Sequence, residues 1–121
     1  MELLKVDPSK IDVLIMSHGH WDHLGGMMGF LDRHRKSMPA DLSMYAGGED
    51  NFCQRYQRSQ GGDLSDFGML DRRDLAKRDV KVVLCETPTV IGDVAFTTGK
   101  IKRNSIEKVL PNTVEIGRTH V

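Results

Sequence analysis

The sequence has 121 residues and carries no formal net charge, because 17 basic side chains balance 17 acidic ones. This length predicts a single domain over residues 1–121, and the balanced charge argues against a nucleic-acid partner. No stretch is apolar for long enough to cross a bilayer, and we expect neither a secretory leader nor a membrane partner. With only two cysteines, Cys53 and Cys85, a disulfide framework is excluded, which favours a reducing, cytoplasmic location.

The first half of the chain predicts a strand, a helix and a second strand. A turn or helix start at Asp7-Pro8-Ser9 precedes the apolar run Ile11–Met16, which predicts a strand that is covered on both faces. A helix is expected over roughly Asp22 to Lys36, and Leu42–Ala46 alternates like a strand. The apolar residues of the helix recur at the spacing of one core-facing stripe: Leu24, Met27, Met28 and Leu31.

The second half mixes helix and strand signals. Helices are expected over Glu49 to Gln60 and over the charged segment Asp71–Arg78, and Leu64–Leu70 fits no single structure. Lys81–Cys85 predicts another strand. Thr89–Ile91 and Val94–Thr98 are rich in β-forming residues and are separated by Gly92-Asp93, which predicts a β-hairpin.

The stretch Ser17 to Gly26, read as S-H-G-H-W-D-H-L-G-G, carries the clearest chemical signal. Imidazole nitrogens and carboxylate oxygens are the usual ligands of zinc and similar divalent ions. In extended backbone His18 and His20 point the same way and can bind one metal. If a helix begins near Asp22, Asp22 and His23 can face a second metal beside the first. The motif therefore predicts a dinuclear metal site.

Two patterns also have simpler interpretations. The histidine motif could be a solvated surface turn in which Asp22 only caps the helix. Lys100, Lys102 and Arg103 form a basic cluster that is typical of a solvated rim. The alternative is that this cluster meets an anionic group, such as a phosphate, on a small-molecule substrate.

The H-x-H-x-D-H spacing, preceded by an apolar strand and followed by L-G-G, resembles the metal-binding signature of the metallo-β-lactamase fold superfamily. Within it, V-D-P-S-K-I-D before the motif and the late T-T-G-K-I-K-R resemble the dihydropterin-methyl-ribofuranosylaminobenzene-phosphate synthase-like branch, which is linked to methanopterin biosynthesis. That branch typically has T-G-E-I-P-R, so Lys100 and Lys102 depart from its pattern.

The resemblance implies a mixed α/β (α+β) fold that is part of a four-layer αββα sandwich. It implies that His18 and His20 bind the first metal and that Asp22 and His23 bind the second. The two divalent ions would be zinc by preference, with manganese or iron as alternatives. The implied chemistry is that of a metal-dependent hydrolase or a synthase (transferase) that activates a water or hydroxide, with Asp22 as the catalytic group that orients the water or moves its proton.

The superfamily also uses later metal ligands, and the histidine that follows His34 here is His120. We therefore expect a partial copy of the fold, with low activity on its own. A homodimer is one arrangement that would supply missing ligands and cover an exposed strand. The competing hypotheses are a non-catalytic metal- or partner-binding remnant, and an unrelated α/β domain with a histidine-containing loop.

Overall fold

Short helices and strands alternate along the chain in a mixed α/β architecture, the fold class that the sequence predicts. The computed structural model describes residues 4–102 and the backbone of residues 113–116. The helices are α1 (Trp21–Leu24), α2 (Met27–His34) and α3 (Arg72–Ala76). The strands of the described residues are β1 (Val13–Ile15), β2 (Ser43–Ala46), β3 (Gln54–Arg58), β4 (Leu64–Asp66), β5 (Lys81–Leu84), β6 (Thr89–Ile91), β7 (Ala95–Thr97) and β8 (Thr113–Ile116).

The main sheet is parallel, with strand order β1–β2–β5. Leu14 pairs with Met44, and Met44 pairs with Val82, so these three side chains share one face of the sheet. Ile15 and Tyr45, one position further along, lie on the opposite face. Two smaller sheets, β4–β3–β8 and β6–β7, are antiparallel within the described residues.

The hydrophobic core fills the Leu14–Met44–Val82 face of the parallel sheet. Helix α2 and the segments beside it pack on that face, and the predicted helical stripe is confirmed as a core contact. Burying this apolar surface is the main favourable contribution to folding. The stripe residues in the core are Leu24 and Leu31, which are buried, and Met27 and Met28, which pack against it.

The opposite face of the parallel sheet is more open. Ile15 is 55% exposed, so the expectation that the first strand is covered on both faces is wrong for the described residues. Since every apolar residue of Ile11–Met16 looks alike in sequence, the pattern could not show which of its faces is packed.

The predicted helix over Asp22 to Lys36 is interrupted. It ends after Leu24, restarts at Met27, and passes into a 3₁₀ turn over Arg35–Ser37. The interruption falls at Gly25 and Gly26, because glycine loses more backbone entropy in a helix than any other residue.

The helix predicted over Glu49 to Gln60 is wrong. Glu49–Phe52 forms a 3₁₀ turn, and the chain becomes extended at Cys53 and continues as β3. Strand β3 is hydrogen-bonded to β4 on one side and to β8 on the other. Strand β4 follows β3 after a short loop, whereas β8 lies far along the chain, and pairing with both strands overrides the local helical pattern.

The remaining predictions of local structure are confirmed where the structure describes them. Asp7 caps a 3₁₀ turn over Pro8–Lys10, and Asp71 caps α3 by accepting a hydrogen bond from the Arg73 N–H at 2.8 Å. The β6–β7 hairpin forms, but its loop contains Val94 in addition to the predicted turn. Gly92 adopts φ +55°, a conformation that favours glycine.

Arg35 joins the end of α2 to the connection between α3 and β5. Its Nε donates to the Arg78 carbonyl at 2.9 Å, and Nη2 donates to the backbone carbonyls of Asp79 and Ala40 at 2.8 Å each. Nη1 donates to the Pro39 carbonyl at 3.0 Å. Hydrogen bonds from a charged donor are stronger than neutral ones, so this one side chain fixes two loops to the helix.

Helix α2, with eight residues, is the longest helix in the described part of the chain. A helix that spans a bilayer needs about 20 apolar residues. No described helix is therefore long and apolar enough to cross a membrane.

We predict that Arg35→Met lowers the free energy of unfolding by about 1.5–3 kcal/mol, because the four backbone carbonyls that accept hydrogen bonds from Arg35 would lose their charged donor. Urea denaturation followed by circular dichroism measures the change. Arg33→Met, at an exposed position two residues earlier, is the matched control and should change stability by less than about 0.5 kcal/mol. Equal effects of the two substitutions would contradict this role of Arg35.

Candidate metal centre

The histidine motif begins where the first strand leaves the parallel sheet. The Met16 N–H donates to the Tyr45 carbonyl at 2.8 Å, which continues the β1–β2 pairing by one residue. Ser17 then starts the loop at the carboxyl edge of the sheet, and α1 begins at Trp21. The carboxyl edge of a parallel sheet is where loops commonly form binding sites.

All four side chains of the predicted metal motif lie together. One ligand atom each of His18, His20 and Asp22 falls within 4.8 Å of the others. The His18 ring centroid lies 4.7 Å from that of His20 and 3.9 Å from that of His23. His23 is not one of these three converging donors, but it adjoins them, since its Nε2 lies 3.5 Å from the Asp22 carboxylate.

The donor set fits a divalent metal in chemistry and in spacing. Two donors bound to one zinc ion at about 2.1 Å each can be no more than about 4.2 Å apart. The observed limit of 4.8 Å is wider by 0.6 Å, which small side-chain rotations can close. Asp22 and His23 are also accessible, with side chains 75% and 42% exposed, so an ion can reach them.

His18 is held in the form that can donate electrons to a metal. Partial burial lowers the pKa of His18, and the neighbouring His23 and His20 rings lower it further. The Asp22 carboxylate acts in the opposite direction but does not reverse the shift. The His18 imidazole is therefore neutral at physiological pH, which leaves one ring nitrogen free to bind.

Ser17 contacts two rings of the cluster. Its Oγ lies 3.2 Å from Nδ1 of His18 and 3.0 Å from Nδ1 of His23. Both rings are thereby held by Nδ1, so their Nε2 atoms are left for other partners. Such contacts commonly orient the ring of a ligating histidine.

Arg55, on β3, fixes the backbone between the first two histidines. Its side chain is buried, and Nη1 donates to the Gly19 carbonyl at 2.8 Å and to the Cys53 carbonyl at 3.3 Å. Nη2 donates to the Asp50 carbonyl. One guanidinium group therefore joins the histidine loop to the turn that precedes β3.

The histidine loop approaches the turn before β3 closely, and this approach requires a glycine at position 19. A Cβ atom at Gly19 would overlap the Asn51 carbonyl and the Arg55 guanidinium. The loop therefore passes directly over the turn that precedes β3, and the contact depends on the small residue between His18 and His20.

Trp21 packs the start of α1 against the β4–α3 connection. Its indole covers the positions where Gly25 and Gly68 would carry a Cβ, each 2.8 Å from a ring atom. Gly68 has φ +81°, so a larger residue there would be strained as well as obstructed. Trp21 thus fixes the direction in which α1 leaves the loop, and with it the placement of Asp22 and His23.

A pocket of about 350 Å³ adjoins the cluster on the open face of the parallel sheet. Ser17 belongs both to its wall and to the hydrogen-bonded cluster. The pocket lies at the carboxyl ends of β1, β2 and β5 and beside β7. Its lining residues are Ile15, Met16, Ser17, Tyr45, Ala46, Gly47, Cys85, Phe96, Thr97, Thr98 and Gly99.

Other residues singled out from the sequence lie apart from the cluster or outside the described part. The His34 ring packs against Phe30 at a centroid distance of 5.4 Å, at the end of α2. Lys100 and Lys102 are exposed. Arg103 and His120 lie outside the residues that the structure describes.

Sequence reasoning missed Arg55 and the supporting role of Ser17. Arg55 falls in the segment predicted to be helical, where a basic residue is an ordinary surface residue. Ser17 had an available signal, because it directly precedes the motif and its hydroxyl can hydrogen-bond to an imidazole nitrogen. The carbonyls that Arg55 contacts are backbone groups, which no residue pattern reports.

Residues 1–94 match the family model described as the metallo-beta-lactamase superfamily. The match covers more than three quarters of the chain and includes the complete histidine motif. The chain belongs to the metallo-β-lactamase superfamily.

One curated relative is the 7,8-dihydropterin-6-methyl-4-(beta-D-ribofuranosyl)-aminobenzene-5'-phosphate synthase of Methanocaldococcus jannaschii. It is 44% identical to this chain over 39 residues, which are 32% of this chain and 13% of the relative. The aligned segment thus spans only a small part of the relative's length. No solved structure gives a significant match.

We predict that Arg55→Met lowers the free energy of unfolding by about 2–4 kcal/mol, because buried carbonyls lose their donor. Urea denaturation measures the loss. The control is Arg58→Met on the same strand, where the side chain is exposed and its bond to the Gly62 carbonyl is long, at 3.5 Å. An Arg55→Met protein as stable as the Arg58→Met protein would contradict the role given to Arg55.

Proposed function

We propose that this chain provides the metal-binding part of a metal-dependent enzyme that acts on a small molecule, either as a hydrolase or as a synthase of the transferase type. The observation that carries the proposal is the convergence of His18, His20 and Asp22 at the carboxyl edge of the sheet. The family membership supports the same chemistry. A histidine-containing surface turn would need no such convergence.

In this proposal His18 and His20 bind one divalent ion, and Asp22 and His23 bind a second. Imidazole and carboxylate donors suit zinc first, with manganese and iron as alternatives. When bound, such ions lower the pKa of a coordinated water and polarise a substrate oxygen. The residues of the chain hold the donors in place, and the buried Arg55 keeps His18 and His20 at a fixed separation through Gly19.

Asp22 has a second role in the proposal. Its carboxylate is exposed and lies 3.5 Å from His23 Nε2, so it can accept a hydrogen bond from a water molecule in the site. A carboxylate in this position can orient the attacking water and take up its proton.

The proposed substrate is a phosphorylated small molecule. The pocket beside Ser17 can take a small organic group, and Lys100 follows directly after the pocket residues Thr98 and Gly99. Exposed Lys100 and Lys102 provide positive charge for a phosphate. The name of the Methanocaldococcus jannaschii relative, the synthase of a 5'-phosphate, supports a phosphate-bearing compound of the pterin type.

The four motif residues do not complete two catalytic sites. A catalytic zinc ion generally has three protein ligands, whereas His18/His20 and Asp22/His23 supply two for each ion. Further ligands must come from elsewhere, and a second copy of the chain in a homodimer is one source. We also propose a cytoplasmic location, which the buried thiols of Cys53 and Cys85, neither of which forms a disulfide, support.

We predict that the purified chain binds zinc and that a His18→Ala/His20→Ala variant loses most of it, because both proposed ligands of the first ion are removed. Elemental analysis after gel filtration gives the metal content. His34→Ala, which removes a histidine at the end of α2, is the matched control and should retain the wild-type zinc content. Equal zinc in all three proteins would contradict the proposed site.

We further predict that metal-dependent turnover by this chain is low as a monomer and rises with dimer formation, because an incomplete ligand set leaves the attacking water poorly positioned. Positioning can account for roughly 7–11 kcal/mol of a reaction barrier. Hydrolysis of phosphodiester, lactone and thioester substrates is measured with zinc, manganese or iron over a range of protein concentrations.

The oligomeric state is measured in parallel, and the His20→Ala chain is the negative control. High turnover by a demonstrated monomer, abolished by His20→Ala, would contradict the incomplete-site argument. A chain that binds zinc but shows no turnover in any state would instead support a non-catalytic metal-binding role.

A further inference from the structure

Ser17 occupies a position that belongs to both the metal cluster and the pocket. Its Oγ contacts Nδ1 of His18 at 3.2 Å and Nδ1 of His23 at 3.0 Å. The same residue lines the pocket formed by the ends of β1 and β2 and by β7. The proposed function assigns ligand roles to the histidines and none to this serine.

A bound metal would determine which atoms donate hydrogen bonds in these contacts. A neutral imidazole that binds a metal through Nε2 carries its proton on Nδ1, so Nδ1–H becomes a donor. A serine hydroxyl has two acceptor sites and one proton. With His18 and His23 both bound in this way, the two N–H groups occupy both acceptor sites of Ser17 Oγ.

The hydroxyl proton of Ser17 is then free to donate to a third group. Neither histidine can accept it, because both Nδ1 atoms carry hydrogen. Ser17 is exposed and also lines the pocket, so a group bound in that pocket lies within the reach of this donor. Anionic oxygens make the strongest hydrogen bonds with such a donor.

We propose that Ser17 is a positioning residue that orients His18 and His23 and also donates a hydrogen bond to an anionic oxygen of the substrate in the pocket. The inference rests on the proposed metal site, and it places an anionic oxygen of the ligand, such as an oxygen of its phosphate, close to the cluster. Ser17 thereby couples the presence of the metals to substrate binding.

The first test measures zinc affinity by competition with a chromophoric chelator. Ser17→Ala should weaken zinc binding by about 10- to 100-fold, the usual effect of losing a contact that orients a ligating histidine. Ser17→Thr keeps the hydroxyl and should restore wild-type affinity. Ser65→Ala, at an exposed position on β4, is the matched control and should leave zinc binding unchanged.

The second test uses the zinc-loaded protein and does not depend on turnover. Long-range ¹H–¹⁵N spectra should show Nδ1–H on both His18 and His23. Calorimetric titration with inorganic phosphate, at equal zinc occupancy, should show about tenfold weaker binding for Ser17→Ala than for Ser17→Thr or wild type.

The outcomes separate this inference from the proposed function. Zinc binding by the wild type with identical zinc and phosphate affinities in Ser17→Ala would overturn the role of Ser17 and leave the metal site standing. Coordination of either ring through Nδ1 would overturn it as well. A wild-type chain that binds no zinc would overturn both the metal site and the inference.

Discussion

The buried guanidinium of Arg55 is the contact on which the candidate site depends. It brings three carbonyls of two separate segments, at Gly19, Asp50 and Cys53, to one charged group. A charged donor that is taken out of water loses stabilising free energy when its hydrogen bonds are broken, so movement of these carbonyls away from the guanidinium is energetically costly. The separation of His18 and His20 is therefore set by a residue on β3, more than thirty positions later.

The parallel sheet provides the second constraint, since its two faces serve different purposes. The Leu14–Met44 face is closed by α2 and supplies the apolar burial that stabilises the domain. The Ile15–Tyr45 face stays accessible and forms the wall of the pocket. A one-residue change of register would exchange these faces, so packing on one side fixes the chemistry available on the other.

The sequence predicted the elements whose signals are local. The strand before the motif, the stripe from Leu24 to Leu31 and the β6–β7 hairpin depend on residues within a few positions of each other. The segment after Glu49 was predicted incorrectly because β3 is stabilised by cross-strand pairing, with β4 after a short loop and with β8, which is distant in sequence. The convergence of His18, His20 and Asp22 followed from their spacing, but the roles of Arg55 and Ser17 depend on three-dimensional contacts.

The residues that hold the histidine loop in place are different from the exposed residues that are proposed to bind a metal. Arg55 holds the histidine loop through the Gly19 carbonyl, and Trp21 packs the start of α1 against Gly68. Asp22 and His23 meanwhile stay accessible to solvent, with side chains that are 75% and 42% exposed. Metal donors must be held close to their final geometry to bind tightly, whereas a substrate must still reach them. A loop fixed through its backbone meets both needs, because the backbone contacts leave the donor atoms of the side chains free to bind.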